Sequence, residues 1–316
     1  MGDKVFVLMS SYNGEKYIRE QLDSILVQRD VEVSLVIRDD GSSDSTIDII
    51  KEYTNKYGNI TFIVGNSCGV AQSFMSLLYG VEDGDYYAFA DQDDYWYDDK
   101  LMVAIKKLKK YGKKPALYCG NQNCVDEEGN FLKVRFPENF EIKGVITALF
   151  HNYYAGCTMV MNKVLRDLLV EEKRRPPLDF FEYRIHDSWI NTVSHVVAEV
   201  IFDSESHMDF RRYEGTFSDE FVPNQVGCTI TERYRKKFKR FLKKGIKRNG
   251  VSMTAKKILE YYNDFLTEDE REQIEIIAGY RDSIKCKMML LCSDLISKNV
   301  LADKLLIRLK VIGGIL

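Results

Sequence analysis

Residues 4–40 read KVFVLMSSYNGEKYIREQLDSILVQRDVEVSLVIRDD, and the fold is decided there. KVFVLMS (4–10) is a strand pattern. EKYIREQLDSILVQ (15–28) places Ile18, Leu22, Ile25 and Leu26 on one helical stripe. EVSLVIR (32–38) is a second strand, closed by the turn DDGSSDS. A helix joining two such strands points to a parallel pair. The alternation continues for about 115 residues. TIDIIKEYTNKY follows as a helix that Ser43 or Asp44 can cap, then ITFIV (60–64), the helix SFMSLLYGV (73–81), the strand YYAFA (86–90) and the helix DKLMVAIKKLKKY (99–111). The expected class is α/β, a mostly parallel central sheet flanked by helices.

Downstream the pattern loosens. VDEEGNF (125–131) reads as a hairpin turn, AGCTMVMNK (155–163) as a strand entering a helix, RRPPLDFFEYR (174–184) as a loop and HDSWINTVSHVV (186–197) as a helix. From about 230 the chain is nearly all helical pattern. We therefore expect a boundary near 225, with domains 1–225 and 226–316.

The chain has 316 residues, 45% hydrophobic and 29% charged, as a soluble globular protein with a sizeable core would. The apolar run at the N-terminus is closed by polar residues after Met9, so no signal peptide is expected. No stretch approaches the roughly 20 apolar residues of a spanning helix. Seven scattered cysteines without a C-x-x-C pair indicate neither a zinc site nor a disulfide framework, and point to a reduced, cytoplasmic compartment. The net charge of −3 is unevenly placed, because residues 233–248 hold ten Lys or Arg and no acid. Phe238, Phe241, Leu242 and Ile246 recur there at helical spacing, giving a basic amphipathic helix. It suits a peripheral membrane contact or packing on the protein body; nothing else in the chain supports nucleic acid. LLIRLKVIGGIL (305–316) is a second amphipathic candidate, for a membrane or a homodimer contact.

In an open α/β sheet, ligands bind beyond the C-terminal ends of the strands. Three such ends are polar here: SSYNGEKY (10–17), DDGSSD (39–44) and DQDDYW (91–96). Asp91 and Asp93, one residue apart, would repel each other unless a hard divalent cation lay between them. The alternative is a solvated acidic loop in which Asp98 or Asp99 caps the next helix. Asp39–Asp44 can contact a nucleotide or simply form a turn and cap. Trp96 and Trp189, the two tryptophans, can stack on sugar rings or sit in the core.

Taken together, these motifs resemble the inverting glycosyltransferases of family 2, which have the GT-A fold. The matching residues are Tyr12, Asn13, Ser24, Ile25 and Gln28, then Asp39–Ser42 with Asp44, then Asp91 and Asp93. DQDDYWYDDKL, YYAGCTMVMNKVL and HDSWI are similar to a rhamnosyltransferase-like subgroup that builds bacterial surface polysaccharides. The resemblance covers about residues 4–215. It implies that Asp40, with Ser10, Tyr12 and Asn13, binds the nucleotide base and that Asp91 binds ribose or metal-linked groups. It further implies that Asp93, with Asp91, ligates Mn²⁺ or Mg²⁺, and that Asp187 is the catalytic base. Arg211 and Arg212 would contact the diphosphate and Asp94 the sugar, while Trp189, Gly156, His186 and Trp96 would face the acceptor. Tyr213 stands where the subgroup has a histidine, and Ser73 where an asparagine is common. The implied activity is metal-dependent inverting transfer, from dTDP-rhamnose or a UDP-hexose, to a surface polysaccharide or lipid-linked glycan at the inner face of the cell membrane. The rival readings are a nucleotidyltransferase that makes sugar nucleotides and a non-catalytic sugar-nucleotide binder. The first lacks its glycine-rich triphosphate loop here, since residues 8–16 contain only Gly14.

Overall fold

A computed structural model describes residues 2–140, 142–182, 184–213, 250–293, 295, 301–314 and 316. The expected boundary at 225 and the basic run 233–248 lie outside the described residues. The chain groups into two units, Met1–Arg211 with Tyr261–Leu266, and Arg212–Glu260 with Thr267–Leu316.

The first unit is built on one sheet. Its strands are β1 (Asp3–Ser11), β2 (Val31–Asp39), β3 (Ile60–Val64), β4 (Tyr86–Ala90), β5 (Tyr95–Trp96), β6 (Ala116–Val125), β7 (Phe131–Val134), β8 (Met159–Asn162) and β9 (Glu199–Arg211). The order is β3-β2-β1-β4-β8-β6-β9-β5, with β7 paired to β6. β3, β2, β1 and β4 run parallel; β8 is antiparallel between β4 and β6; β6 and β9 are again parallel. Strands covered on both faces read as continuous apolar runs, and Val5, Val7, Leu8 and Met9 of β1 are fully buried.

The helices of this unit are α1 (Ile18–Leu26), α2 (Thr46–Lys56), α3 (Val70–Gly80), α4 (Lys100–Leu108), α5 (Gly144–Phe150), α6 (Lys163–Val170) and α7 (His186–Val197). In α1 the stripe Ile18, Leu22, Ile25 packs into a core that includes Leu35, Ile37 and Ile50. One face of the sheet thus carries α1, α2 and α4. The other meets α7, whose His186 lies against Phe89 of β4.

Besides the two-residue β5, three elements escaped the sequence pattern. α5 has only seven residues. β6 (ALYCGNQNCV) ends in a glycine and amides that break its apolar run. β9 alternates acids with apolar residues over 13 positions and resembles a loop by composition. The segment expected to be wholly a loop at 174–184 contains a short 3-10 turn, Leu178–Glu182.

The second unit is helical where described: α8 (Gly250–Tyr261), α9 (Glu268–Gly279), α10 (Ile284–Cys292) and α11 (Leu301–Ile312). Thr267 and Glu270 form a capping box at the start of α9. No described helix is long and apolar enough to cross a membrane.

Candidate active site

The parallel order β2-β1-β4 sets three polar strand ends side by side. Asp39 and Asp40, adjacent in sequence, do different work. Asp39 is fully buried and builds the turn, accepting from Gly41 N (3.0 Å), Ser42 N (2.8 Å) and Ser11 Oγ (3.0 Å). Asp40 turns toward the start of α3. There it accepts from Gly69 N (2.7 Å) and Cys68 N (3.1 Å), and it pairs with Arg38 at 2.5 Å. Burial alone would raise its carboxyl; the Arg38 guanidinium and the two amides outweigh that and hold it below the usual range.

Asn13 has a left-handed backbone (φ 47°) and joins the first two loops. Its N–H donates to Ser42 Oγ, and its Oδ1 accepts from Ser43 N, both at 2.9 Å. Ser10 donates to Ser73 at 2.7 Å, so the residue that departs from the family's asparagine is the partner of Ser10. Tyr12 is 55% exposed, but its backbone is pinned: Gln92 accepts from Tyr12 N and donates to Tyr12 O, each at 2.9 Å. This strap requires Gly14, because a Cβ there would stand 2.2 Å from Gln92 Oε1.

Buried polar residues on α1 and just past its end fix the backbone of the acidic loop. Gln21 donates to Asp91 O (3.0 Å), Ser24 Oγ accepts from Trp96 N (3.1 Å), and Gln28 donates to Tyr97 O (2.7 Å) while accepting from Leu101 N (3.0 Å). Asp94 Oδ1 accepts from Arg211 N at 3.3 Å. Asp94 is 1% exposed, and its Oδ2 has no partner among the described residues. Burial, then the charges of Asp93 and Asp91, push Asp94 well up. Burial, then Asp93, raise Asp91 to about 7. Among the described residues, the ligand atoms of Asp91, Asp94 and Cys157 lie within 4.8 Å of one another. Burial also pushes the Cys157 thiol well up, and a protonated sulfur suits neither Mg²⁺ nor Mn²⁺. The orphaned Asp94 oxygen beside Asp91 does fit a hard divalent cation. Asp93, the ligand expected from the resemblance, is outside that cluster, although its charge acts on both members.

Four expectations are corrected here. Trp96 and Trp189 are both fully buried and present no ring face to a sugar. Trp96 lies under the Lys100 ammonium (3.9 Å to the ring centroid), and Trp189 packs with Phe180, Phe181 and Tyr262. Asp99 does hold the N-cap position of α4, but neither it nor Asp98 caps through its side chain: Asp98 pairs with Arg29 and Asp99 with His207, each at 3.0 Å. For α2, the cap position is Ser45, without a side-chain bond, while Asp44 accepts from Thr46 N at 3.0 Å. Arg211 is 5% exposed and its guanidinium is engaged internally. It donates to Glu20 (2.6 Å), Glu127 O (2.8 Å) and Asp93 O (3.2 Å), above the Tyr17 ring. It clasps the loop and is not free for a diphosphate. Arg212 falls in the other unit.

Asp187 stands in the first turn of α7, where the helix dipole favours a carboxylate. Its Oδ1 accepts from Asn152 Nδ2 (2.8 Å) and Ser188 N (2.6 Å). Its negative charge is one of those that raise Asp91. The neighbouring His186 is 4% exposed, stacks on Phe74 (4.3 Å) and is held neutral, lowered by burial to about 4. Gly156 makes room for it, since a Cβ there would lie 2.5 Å from His186 Nε2. These two residues therefore seat the start of α7. The residues that sequence reasoning missed are Asn152, Gln92 and Lys100. Only Gln92, between two acids of the motif, carried a local signal.

A model of glycosyl transferase family 2 matches residues 6–169, just over half of the chain. The chain belongs to glycosyl transferase family 2. Among curated family 2 relatives and neighbours, it is 36% identical to dTDP-rhamnosyl transferase RfbG of Shigella flexneri over 178 residues, 52% of this chain and 56% of that relative. The match thus spans little more than half of RfbG's length. An uncharacterized glycosyltransferase of Rickettsia typhi, RT0329, is 26% identical over 255 residues, 78% of this chain and 74% of that one. The fold is that of TarS 1-349 of S. aureus, solved also with UDP and with UDP-GlcNAc (TM-score 0.58, 18% identity, 98% of this chain and 79% of TarS). A mannosyltransferase of Pyrobaculum calidifontis, solved with GDP-Man and Mn²⁺, aligns with TM-score 0.51 at 17% identity over 99% of this chain and 81% of its own. The sheet is accordingly a GT-A sheet.

Proposed function

We propose that this glycosyltransferase moves a deoxyhexose, L-rhamnose from dTDP-rhamnose, onto a glycan acceptor with inversion at the anomeric carbon. The observation that carries the reading is Asp187: one oxygen is fixed by Asn152 and the α7 amide, and its charge reaches the acidic loop. A carboxylate so held takes the proton of an acceptor hydroxyl. The acceptor oxygen then bonds to the anomeric carbon as the bond to the diphosphate oxygen breaks, and the nucleoside diphosphate leaves. One displacement inverts the centre and needs no covalent enzyme intermediate. Asp40, Ser10 and the Tyr12–Asn13 loop hold the nucleotide end. Asp91 and Asp94, with Asp93 beside them, would hold Mn²⁺ or Mg²⁺, which when bound supplies positive charge against the diphosphate. The choice of dTDP-rhamnose is supported by the likeness to RfbG. The basic segment 233–248 would keep the enzyme at an anionic membrane face where a lipid-linked acceptor is presented.

The test is a panel of nucleotide sugars with and without Mn²⁺, on the wild type and on Asp187→Asn. Turnover should be confined to dTDP-rhamnose. Asp187→Asn should lose transfer by at least a hundredfold while its donor affinity stays within twofold. A variant that still turns over at the wild-type rate would remove Asp187 from the role.

A further inference from the structure

With both tryptophans in the core, the acceptor needs another platform. We infer that a cavity of about 280 Å³ between β9 and residues 138–140 and 142 is a subsite for one sugar ring of the acceptor glycan. The inference rests on the glycan-acceptor reading above. The cavity is lined by Phe140, Tyr154 and Phe202, with Glu138, Asn139 and Ser204 at its polar positions. Its volume is at the small end of ligand sites and suits one ring.

The aromatics form a connected shelf. Phe136 stacks on Phe140 (4.1 Å), Tyr154 stacks on Phe202 (5.6 Å), and Phe140 meets Phe202 edge-on (5.5 Å). Core aromatics of this unit such as Tyr87, Phe89, Trp96 and Trp189 are fully buried, but Phe136, Phe140 and Phe202 keep part of their surface open. Phe140 and Phe202, each partly exposed beside a carboxylate, an amide and a hydroxyl, offer what a sugar needs: apolar ring surface for its C–H groups and hydrogen-bonding groups for its edge.

The sheet places this shelf relative to the chemistry. Tyr87, Met161, Leu117 and Val200 are mutual partners across β4, β8, β6 and β9, so their side chains share one face. By alternation Phe89 and Phe202 share it too, and it is the face on which His186 packs. Phe202 pairs with Cys119 of β6, level with the C-terminal end of β4. Three inter-strand steps separate β4 from β9, about 14 Å at normal strand spacing. The chain also links the two places directly: Asn152, which holds Asp187, is followed by Tyr153 and Tyr154, and Tyr153 meets Phe140 at 5.3 Å. The shelf therefore lies a few sugar residues or less from the proposed base, on its side of the sheet.

The test uses saturation-transfer NMR with methyl α-L-rhamnopyranoside, methyl β-D-glucopyranoside and methyl N-acetyl-β-D-glucosaminide as probes, in the presence of dTDP and Mn²⁺. Two variants bracket the site: Phe140→Ala removes a face, and Ser204→Trp fills the cavity. At least one glycoside should receive saturation at its ring C–H protons, and that signal should fall at least fivefold in both variants. Undiminished signal in a folded Ser204→Trp overturns the subsite even if Phe140→Ala fails to fold. Calorimetry of dTDP on the wild type separates the two readings. If dTDP binds and no glycoside does, the subsite is wrong and the transferase reading stands. If dTDP does not bind while a glycoside responds to Ser204→Trp, the subsite stands and the donor reading falls.

Discussion

Replacing Arg211 by methionine should destabilise the catalytic unit without singling out the diphosphate. The guanidinium makes charge-assisted bonds to two backbone carbonyls, Glu127 O at 2.8 Å and Asp93 O at 3.2 Å. Hydrogen bonds to charged groups contribute roughly 1.5–3 kcal/mol each. Glu20, its ionic partner, has a half-exposed side chain, so that pair adds at most about 1 kcal/mol. Methionine also gives up the guanidinium's place over the Tyr17 ring, and the two carbonyls recover some water. A net loss of about 3 kcal/mol follows. For a unit of this size that is a fall in Tm of roughly 6–12 °C. Arg211→Lys, which keeps one charge but cannot span three acceptors, should lose about half as much. The assay is thermal melting combined with the affinities for thymidine and for dTDP. A clasp residue lowers Tm and weakens both ligands in similar proportion, because the acidic loop shifts as a whole. A diphosphate ligand would weaken dTDP far more than thymidine at unchanged Tm. A Tm shift below about 2 °C with selective loss of dTDP would refute the clasp.

Three further outcomes are expected. Asp91, raised to about 7 by burial and by Asp93, must give up its proton to a cation, so Mn²⁺ affinity should fall about tenfold per pH unit below 7 and level off above it. Between the unfolded carboxyl value near 4 and 7 the folded state binds the extra proton, so metal-free stability declines as pH rises through that window. Mn²⁺ should therefore raise Tm more at pH 8 than at pH 6, and equal shifts would contradict the assignment. Asn152→Ala frees Asp187 Oδ1 from its 2.8 Å donor and should lower kcat roughly 10- to 100-fold with donor KM little changed, read by steady-state kinetics. Gly14→Ala places a Cβ 2.2 Å from Gln92 Oε1 and breaks the strap to Tyr12; nucleotide Kd should rise about tenfold by calorimetry, the equivalent of one or two lost hydrogen bonds.

How much of this was legible in the sequence depended on the range of the interaction. β1, α1, β2 and β4 announce themselves because each buries a locally periodic face, and α7 begins at the expected His186. β6 and β9 did not, since their stability comes from pairing with each other across some 80 residues rather than from their own patterns. The site divides the same way. The D-x-D loop, the DDGS turn and Asp187 are short motifs at element ends, where chemistry leaves residues that packing does not explain. Arg211 was misread because its three acceptors lie in Glu20, Asp93 and Glu127, at separations of 84 to 191 residues. The tryptophans were ambiguous because an indole serves a core or a sugar equally well, and only burial tells them apart.

The placement of neutral amides accounts for the density of charge in ADQDDYWYDD (90–99). A loop that presents carboxylates to a cation cannot be fixed through those carboxylates, because cationic partners there would compete with the metal. The backbone must be held instead. Gln21 and Ser24 on α1, Gln28 just past its end and Gln92 within the loop do this with uncharged groups aimed at main-chain N–H and C=O. That is a physical reason for a polar edge at three- and four-residue spacing on an otherwise apolar helix face. Two of the cations nearby spend donors on main-chain carbonyls. Arg211 donates its guanidinium to Asp93 O, and Lys100 donates to Cys157 O at 2.8 Å, with burial lowering its ammonium to about 8. The result is a rigid loop in which Asp94 Oδ2 is left unpaired inside the protein, a cost of roughly 1–3 kcal/mol. Such a cost persists where the fold over-determines the geometry, and it is relieved when a positive charge is bound. On the proposed metal reading, the cost carried at the end of β4 would be returned when a cation binds there.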